Sequence, residues 1–153
     1  MKIGFFIPLV GLGGVESSLA KLLRSLSGTD IEPVVLYGEA PSDWLDSIRG
    51  VAELVHLKRR SGIPLAGRIF GERAAISISL VGELASYLRS GDLDVLVGYQ
   101  SGAVALFARR RSGMDIPVVV RESIVPSIAF YYESKIWSFL KKRIKSFSFS
   151  RAD

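Results

Sequence analysis

The chain has 153 residues, a length that suits one domain with a hydrophobic core. Hydrophobic residues make up 48% of it, which excludes a disordered chain, and the lack of cysteine together with a single histidine excludes disulfides, thiolate metal sites and multi-histidine metal sites. Lys and Arg total 20 against 15 Asp and Glu, and the net charge of +5 favours an anionic partner such as a phosphate, an acidic membrane surface or a nucleic acid.

Short apolar runs alternate along the chain with segments of helical spacing. In chain order, the predicted elements are a strand over Lys2–Ile7, a helix from Val15 that stops before Gly28, a strand over Pro33–Tyr37, a short helix capped by Ser42, a strand over Ala52–Leu57, a surface loop over Lys58–Arg73, a helix over Ala74–Leu88, a strand over Asp94–Val97, a helix over Ser101–Arg111, a strand over Ile116–Val120 and a helix over Ser127–Lys145. No apolar run reaches the ~18 residues that a transmembrane helix needs.

This alternation predicts an α/β fold, a doubly wound and mostly parallel sheet with helices on both faces, of the Rossmann-like kind. Ligands of such sheets bind at the carboxyl ends of the strands, beside the point where the strand order reverses. Polar residues and glycines that follow the strands are therefore the candidates for a functional site.

A glycine-rich turn, Gly11-Leu12-Gly13-Gly14-Val15-Glu16, joins the first strand to the first helix. Glycines let the backbone approach a ligand closely, and a helix start presents unpaired N–H groups, so the segment suits a phosphate or diphosphate. A tight turn that binds nothing has the same signature. Glu16 either caps the helix start, which acids favour, or holds an active-site loop.

Gly11 and Gly13 match the first two glycines of a dinucleotide-binding fingerprint, and Glu16 stands where the third is expected. Its carboxylate would repel a pyrophosphate, which weakens the hypothesis of a nicotinamide cofactor. Glu39, after the second strand, could still contact a ribose, so that hypothesis stays open. No Gly-Lys-Ser/Thr triplet occurs, and nucleotide hydrolysis of the Walker type is not expected.

Four segments carry a resemblance to a known family. They are the turn Gly13-Gly14-Val15-Glu16 after a strand that ends at Pro8, the strand and loop from Asp94 to Ser101, the strand and loop from Ile116 to Glu122, and the tail Arg151-Ala152-Asp153. In this order and spacing they resemble the N-terminal domain of the family 4 glycosyltransferases of the GT-B fold. The resemblance covers nearly the whole chain.

The resemblance implies one domain over residues 1–153 that shapes the acceptor site, with the donor-binding C-terminal domain outside this chain. The implied reaction moves a sugar from a nucleotide-sugar donor to a sugar or lipid-linked acceptor, usually with retention of configuration and with no cofactor or metal. The domain alone is expected to be inactive. A cytoplasmic location, on the inner face of the membrane, and a role in cell-envelope polysaccharide are expected with it.

The candidate residues for the donor phosphate and the acceptor follow the first, fourth and fifth strands. They are Gly13, Gly14, Glu16, Tyr99, Gln100, Ser101, Arg121, Glu122 and Ser123. Arg121 could pair with a phosphate or only with Glu122, and Ser101 could act only as a helix cap. Many family members have a histidine where Ser123 stands, so no histidine role is carried over. No catalytic residue is assigned, and His56 is not expected to take part.

Two basic segments are relevant to whether the chain binds a membrane or a nucleic acid. Lys58, Arg59, Arg60, Arg68 and Arg73 cluster in one loop, and Lys135–Lys145 combines basic residues with an apolar stripe. A basic amphipathic helix suits peripheral contact with an anionic membrane, although the stripe could equally serve the core. No nucleic-acid recognition motif is present, and no nucleic-acid partner is expected. A nicotinamide-dependent oxidoreductase and a non-catalytic phosphate-binding module remain the alternatives.

Overall fold

The computed structural model describes residues 1–11, 13–59 and 72–121, with the backbone alone for residues 72–74. The described strands are β1 (Lys2–Leu9), β2 (Glu32–Glu39), β3 (Glu53–His56), β4 (Val95–Tyr99) and β5 (Val118–Arg121). The described helices are α1 (Gly14–Ser25), α2 (Ser42–Ile48), α3 (Glu72–Ser79), α4 (Val81–Ser90) and α5 (Gly102–Ser112). Strands and helices alternate along the chain, as the periodicity predicts.

The strands form one sheet in the order β3-β2-β1-β4-β5, and every neighbouring pair is parallel. Phe5 of β1 lies opposite Val35 of β2 on one side and opposite Val97 of β4 on the other. The order reverses between β1 and β4, which is where a doubly wound sheet leaves a crevice at its carboxyl edge. The predicted fold class, a Rossmann-like α/β fold, is confirmed.

Both faces of the sheet are covered, which explains why β1 reads as a continuous apolar run. Phe5 and Ile7 pack on one face with Leu19 of α1 and Trp44 of α2. Phe6 points to the other face, where residues of α3, α4 and α5 pack. Each large side chain that is removed from water here stabilises the fold by about 1.5–3 kcal/mol. The helices that cover opposite faces thereby frame the crevice between β1 and β4.

The helix predicted over Ala74–Leu88 is wrong in one respect, because the structure has two helices that are separated at Leu80. The Ser79 hydroxyl donates to the carbonyl oxygen of Ile76 at 2.7 Å, and the Leu80 N–H donates to Ser77 O, three residues back. Serine hydroxyls that bond the preceding turn compete with the regular helical ladder. The chain bends there and buries Leu80 completely.

Several predicted boundaries also shift. Pro41, not Ser42, occupies the N-cap position of α2, and Ser42 is the first helical residue. The helix start at Glu72 falls inside the predicted loop Lys58–Arg73, and residues 60–71 of that loop lie outside the described residues. The predicted helix Ser127–Lys145 also lies outside them, as does the tail from residue 151. Gly28 adopts a positive φ of 81° three residues after α1 ends, in agreement with its predicted role as a stop.

Candidate functional site

The described candidates for the site meet at the carboxyl edge of the sheet. The glycine turn follows β1, the segment Tyr99-Gln100-Ser101 ends β4 and enters α5, and Arg121 ends β5. These three segments belong to neighbouring strands, so the sheet order brings them together. Glu122 and Ser123 lie outside the described residues, and their predicted roles stay predictions.

The glycine turn is open to solvent. Gly13 occupies the N-cap position of α1 in an extended conformation, with φ −126° and ψ 179°, and Gly14 is the first helical residue. Both are exposed, and a Cβ atom added to Gly14 would meet no other atom within 4 Å. The start of α1 is therefore accessible to a ligand from the side of Gly14.

Glu16 closes the other side of the turn. Its side chain is buried, and its Oε1 accepts a hydrogen bond of 3.0 Å from the N–H of Gly11. A Cβ atom on Gly13 would come within 2.8 Å of Oε2, so a larger residue here would displace the Glu16 carboxylate. The carboxylate lies at the positive end of the α1 dipole, where an acid is stabilised. Of the two predicted roles, the geometry favours the hold on the loop, because the bond goes to Gly11 and not to an N–H of the helix start. The charge of the carboxylate repels a pyrophosphate laid directly over this side.

Trp44 of α2 contributes to the turn in a way that sequence patterns do not reveal. Its indole Nε1–H donates to the carbonyl oxygen of Glu16 at 3.2 Å inside the core. A buried tryptophan needs a hydrogen-bond acceptor for its N–H, which is the only signal that the sequence offers. The bond ties the first turn of α1 to α2 and so fixes the position of the glycine turn.

Tyr99 forms the floor of the site between β1 and β5. Its side chain is 1% exposed, and its ring meets the ring of Phe5 edge-on at 6.3 Å. Burial raises the pKa of the phenol, and the nearby positive charge of Arg121 opposes that shift only in part. Tyr99 therefore stays neutral, and it provides an aromatic surface rather than a proton donor or acceptor at neutral pH.

Arg121 lies over that surface. Its guanidinium carbon is 4.6 Å from the centre of the Tyr99 ring, a cation–π contact, and its Nη2 donates to the Ser18 hydroxyl of α1 at 3.3 Å. Nη1 is buried and has no hydrogen-bond partner among the described residues. A guanidinium carries five N–H donors, and the bond to Ser18 uses one of them. Ser18 was not among the predicted residues, because nothing in the local pattern links it to a residue 103 positions away.

Gln100 and Ser101 form a sharp turn from β4 into α5. Gln100 has a φ of +56°, and its N–H donates to the carbonyl oxygen of Arg121 at 2.9 Å. Ser101 occupies the N-cap position of α5, but its side chain makes no capping hydrogen bond. Ser101 therefore stands at the predicted cap position, but its hydroxyl does not cap the helix. A cavity of about 90 Å³ opens here, between the end of β1, Ser77 of α3 and this turn.

Two further residues that the sequence singled out lie on β2 and β3, outside the gap between β1 and β4. His56 is exposed on the edge strand β3 and stacks against the ring of Tyr37 at 5.3 Å, so it takes no part in the site. Glu39 at the end of β2 is 3.8 Å from Arg59, which places both charges at the same edge of the sheet. A roomier cavity of about 570 Å³ lies beside the turn from α5 to β5, at the opposite end of the sheet.

Within the described parts of the chain, no group of three or more His, Asp or Glu residues is arranged to hold a metal ion. In the same parts, no helix combines the length and the apolar character that crossing a bilayer requires. The basic segment Lys135–Lys145, and with it the predicted peripheral membrane contact, lies outside those parts.

Comparison with known proteins shows the fold. No protein-family model matches the chain, and no curated protein matches its sequence. Solved structures do match. UDP-GlcNAc 2-epimerase from Neisseria meningitidis bound to UDP-GlcNAc has 15% identity and a TM-score of 0.59, and the match covers 97% of this chain and 39% of that one. MurG of Acinetobacter baumannii has 11% identity and a TM-score of 0.53 over 78% of this chain and 34% of its own, and a ugt transferase from Siraitia grosvenorii in complex with UDP has 16% identity and a TM-score of 0.52 over 80% and 28%.

The chain spans about a third of the length of each of these proteins. At identities this low the likeness establishes the fold alone, the Rossmann-like arrangement that these GT-B proteins share. Membership of family 4 in particular stays a prediction. The site has to be argued from its own residues.

Proposed function

We propose that this chain is the acceptor-side domain of a glycosyltransferase that moves a sugar from a nucleotide-sugar donor to an acceptor, with retention of configuration. Two of the structural neighbours support a uridine diphosphate group in the donor, since one is a complex with UDP and another is bound to UDP-GlcNAc. The donor is held chiefly by a second domain, and this chain alone has no transferase activity. Family 4 membership belongs to the same proposal and rests on the sequence motifs.

One observation carries the proposal: the buried Nη1 of Arg121 with no partner among the described residues. Leaving a buried charged donor unsatisfied costs more than the ~1–3 kcal/mol that an uncharged group would cost. A phosphate oxygen removes that cost, because a guanidinium forms strong paired hydrogen bonds with phosphate. The contact with Ser18 and the stacking on Tyr99 hold the guanidinium in place before the ligand arrives.

The glycine turn supplies the second half of the anion site. A helix start offers unpaired backbone N–H groups to an anion, and the space beside Gly14 at the start of α1 is open. Glu16 occupies the other side. The phosphate therefore approaches from the side of Gly14, because the carboxylate repels it from a position on the axis of α1. Backbone donors and a fixed cation together stabilise the negative charge that builds up on a departing diphosphate. Glu122 and Ser123 belong to the proposed site through the sequence resemblance alone.

The test compares UDP with uridine, which lacks the phosphates. NMR titration of the ¹⁵N-labelled chain gives both dissociation constants, and we expect millimolar binding, about −4 kcal/mol, since this domain makes only part of the donor contacts. Wild type should prefer UDP over uridine by roughly tenfold or more. Arg121→Met should remove most of that preference and leave the part that the glycine turn contributes, and Arg121→Lys, which keeps the charge without the planar fork, should retain more of it.

Two outcomes would count against the proposal. An unchanged UDP-to-uridine ratio in Arg121→Met would mean that the guanidinium serves only the packing of the sheet edge. Tight binding of reduced nicotinamide dinucleotide, with shifts at Gly13 and Gly14, would favour an oxidoreductase instead. A thermal melt of each variant separates loss of binding from loss of folding.

A further inference from the structure

The larger cavity, beside the turn from α5 to β5, is a surface groove of about 570 Å³. Leu106, Phe107 and Met114 provide its apolar walls, and Arg109 and Arg110 are its basic lining residues. Phe107 and Met114 are 49% and 40% exposed, although both are large apolar side chains. Exposed apolar side chains that lie together beside charged ones are typical of a surface that binds another macromolecule.

The last turns of α4 and α5 lie side by side and carry four arginines. Arg89 of α4 donates to the carbonyl oxygen of Arg111 at 3.4 Å and to the Ser86 hydroxyl at 3.1 Å. Arg109, Arg110 and Arg111 occupy the last turn of α5. Basic residues in a last turn are stabilised modestly by the helix dipole, but the mutual repulsion of neighbouring cations opposes that effect. An anionic partner would remove the repulsion.

One carboxylate of the chain already binds this arginine cluster. Arg109 Nη2 donates to Asp115 Oδ1 at 2.7 Å, although the Asp115 side chain is 98% exposed. Among the described residues that line the groove, Asp115 is the one acid. Arg110 and Arg111 are exposed, and within the described residues their guanidinium groups have no hydrogen-bond or ion-pair partner. The groove therefore keeps an excess of positive charge that the described residues do not neutralise.

The helical spacing places the apolar and the basic side chains next to each other. Phe107 precedes Arg110 by three positions and Arg111 by four, and residues at these spacings are neighbours on a helix surface. Gly113 ends α5 in the left-handed conformation, with a φ of 74°, and Met114 directly after it lines the same groove. A ligand that enters the groove therefore meets apolar contacts and guanidinium donors at the same time.

We propose that the α5–β5 groove is a docking surface for an acidic segment of another protein. An apolar side chain of that segment fills the groove, and its carboxylates bind Arg110 and Arg111. Guanidinium and carboxylate groups form strong paired hydrogen bonds, and arginine and methionine are both enriched in protein interfaces. The flexible thioether of Met114 can adapt to the shape of the incoming side chain. The inference is independent of the proposed function, because it uses no residue at the carboxyl end of the sheet.

Other partners fit this surface less well. A free phosphate is held best by the N–H groups of a helix start, whereas α4 and α5 end here and present carbonyl groups. A second copy of the chain, related by a twofold axis, would place two surfaces of the same positive charge against each other. A nucleic-acid backbone would engage the arginines but leave the apolar walls of the groove in water. A lipid surface binds apolar side chains that protrude, not those that line a concave groove.

The experiment titrates the ¹⁵N-labelled chain with the synthetic peptide Asp-Glu-Leu-Phe-Glu-Asp. The amide signals of Arg110, Arg111 and Met114 should shift, with a dissociation constant of about 1 mM or lower at low salt. Raising the salt concentration from about 20 mM to about 300 mM should weaken the affinity at least fivefold, because exposed charges are screened. The peptide Asn-Gln-Leu-Phe-Gln-Asn, which has the same apolar residues without the charges, should bind about tenfold more weakly or not at all. No shifts with the acidic peptide, or equal affinity for the two peptides, would overturn the proposal.

Two pairs of substitutions separate the arginine cluster from the net charge. Arg110→Gln combined with Arg111→Gln keeps good helix formers and should lower the affinity for the acidic peptide about tenfold. Arg24→Gln combined with Arg49→Gln is the matched control, since it removes two exposed arginines from α1 and from the residue after α2. The control should bind the peptide as wild type does, and melting curves show whether both variants fold. An equal loss of affinity in both pairs would mean that net charge alone attracts the peptide, which contradicts a specific docking surface.

The apolar half of the surface and the other anions have tests of their own. Met114→Gln keeps the length of the side chain but makes it polar, so peptide affinity should fall about threefold or more while the salt dependence stays the same. Unchanged affinity in this variant would remove the groove from the proposal. Oligothymidine and phosphatidylglycerol vesicles represent nucleic acid and membrane. If either binds more tightly than the acidic peptide, and loses that binding in the Arg110→Gln and Arg111→Gln double variant, the cluster recognises phosphate and the assignment to a protein partner is wrong.

Discussion

The two ends of the sheet handle charge in opposite ways. At the amino end, the Lys2 ammonium lies 2.9 Å from Asp92 and 3.4 Å from Glu53, and the Lys2 N–H donates to Asp94. At the carboxyl end, Arg121 keeps a buried Nη1 that no described residue engages. The first arrangement is complete in itself, and the second has no acceptor within residues 1–11, 13–59 and 72–121. Under the proposed function, the amino end at Lys2 serves stability and the carboxyl end binds the ligand.

Backbone conformation separates the two ends in the same way. Positive φ at the amino end occurs at Gly28, Gly50 and Gly113, where glycine carries no strain. At the carboxyl end it occurs at Gln100, and a carboxylate is buried beside the exposed glycine turn. Strain and buried charge lower stability, so their concentration at one edge favours a functional reason for keeping them there.

The largest expected effect on stability comes from Gly102→Ala, at the start of α5. The added methyl group collides with Val120 of β5, and overpacking of this kind costs about 1–3 kcal/mol. Chemical denaturation measures the loss. Gly14→Ala is the matched control, since its methyl group enters open space and should leave the unfolding free energy nearly unchanged.

Gly14→Ala also tests the difference between stability and binding. Its methyl group should leave stability unchanged but weaken UDP binding, because it fills the space beside the start of α1. If Gly14→Ala binds UDP as well as wild type does, the glycine turn is only a turn. If it unfolds as readily as Gly102→Ala, the account of the open space around Gly14 is wrong.

A smaller effect is expected for Trp44→Phe. The aromatic ring is largely kept, and the hydrogen bond from Nε1 to Glu16 O is lost, which costs about 1 kcal/mol. Because this bond fixes the first turn of α1, UDP affinity should fall as well, by less than in Arg121→Met. Denaturation and the UDP titration measure the two effects. An unchanged affinity with reduced stability would show that α2 supports the fold without positioning the site.

The smallest effect concerns pH and the amino end. The hydrogen bond with Lys2 holds the pKa of Asp92 below its usual 3.8, and the same bond raises the pKa of Lys2 above its usual 10.5. The contribution of Asp92 is therefore present above about pH 3.8 and is lost as the pH falls through its lowered pKa. The contribution of Lys2 is present below about pH 10.5 and is lost only at higher pH.

Melting curves of wild type and Asp92→Asn between pH 7 and pH 2 test this. Asp92 is exposed and Lys2 is half-buried, so the difference at neutral pH should be no more than about 2 °C, and it should vanish as the pH approaches 2. UDP affinity should be the same in both proteins. A change in UDP affinity would contradict the division of roles between the two ends.

Much of the fold follows from local patterns. The continuous apolar run of β1 indicates a strand buried on both faces, and the spacing of Leu19 and Leu23 indicates a helix with one buried side. The break at Leu80 does not follow from that spacing, because it depends on which carbonyl the Ser79 hydroxyl reaches. The spacing of apolar residues contains no information about such hydrogen bonds, so it predicts one helix where the chain has two.

The site is predictable in position but not in its contacts. Strand ends in a parallel sheet meet at one edge, so Tyr99 and Arg121 could be expected near the glycine turn. The bond between Arg121 and Ser18 could not, because long-range side-chain partners leave no local signal. The left-handed conformation of Gln100 is equally hidden, since the residue type argues against it and only the flanking glycines hint at a sharp turn.

The crystal structure of the chain with UDP tests the central claim most directly. The account predicts a phosphate oxygen within about 2.7–2.9 Å of Arg121 Nη1, with the phosphate seated beside the N–H of Gly14 and Glu16 still bonded to Gly11. UDP bound at the α5–β5 turn, or Arg121 Nη1 engaged by a carboxylate of the chain itself with no phosphate near it, would contradict the account.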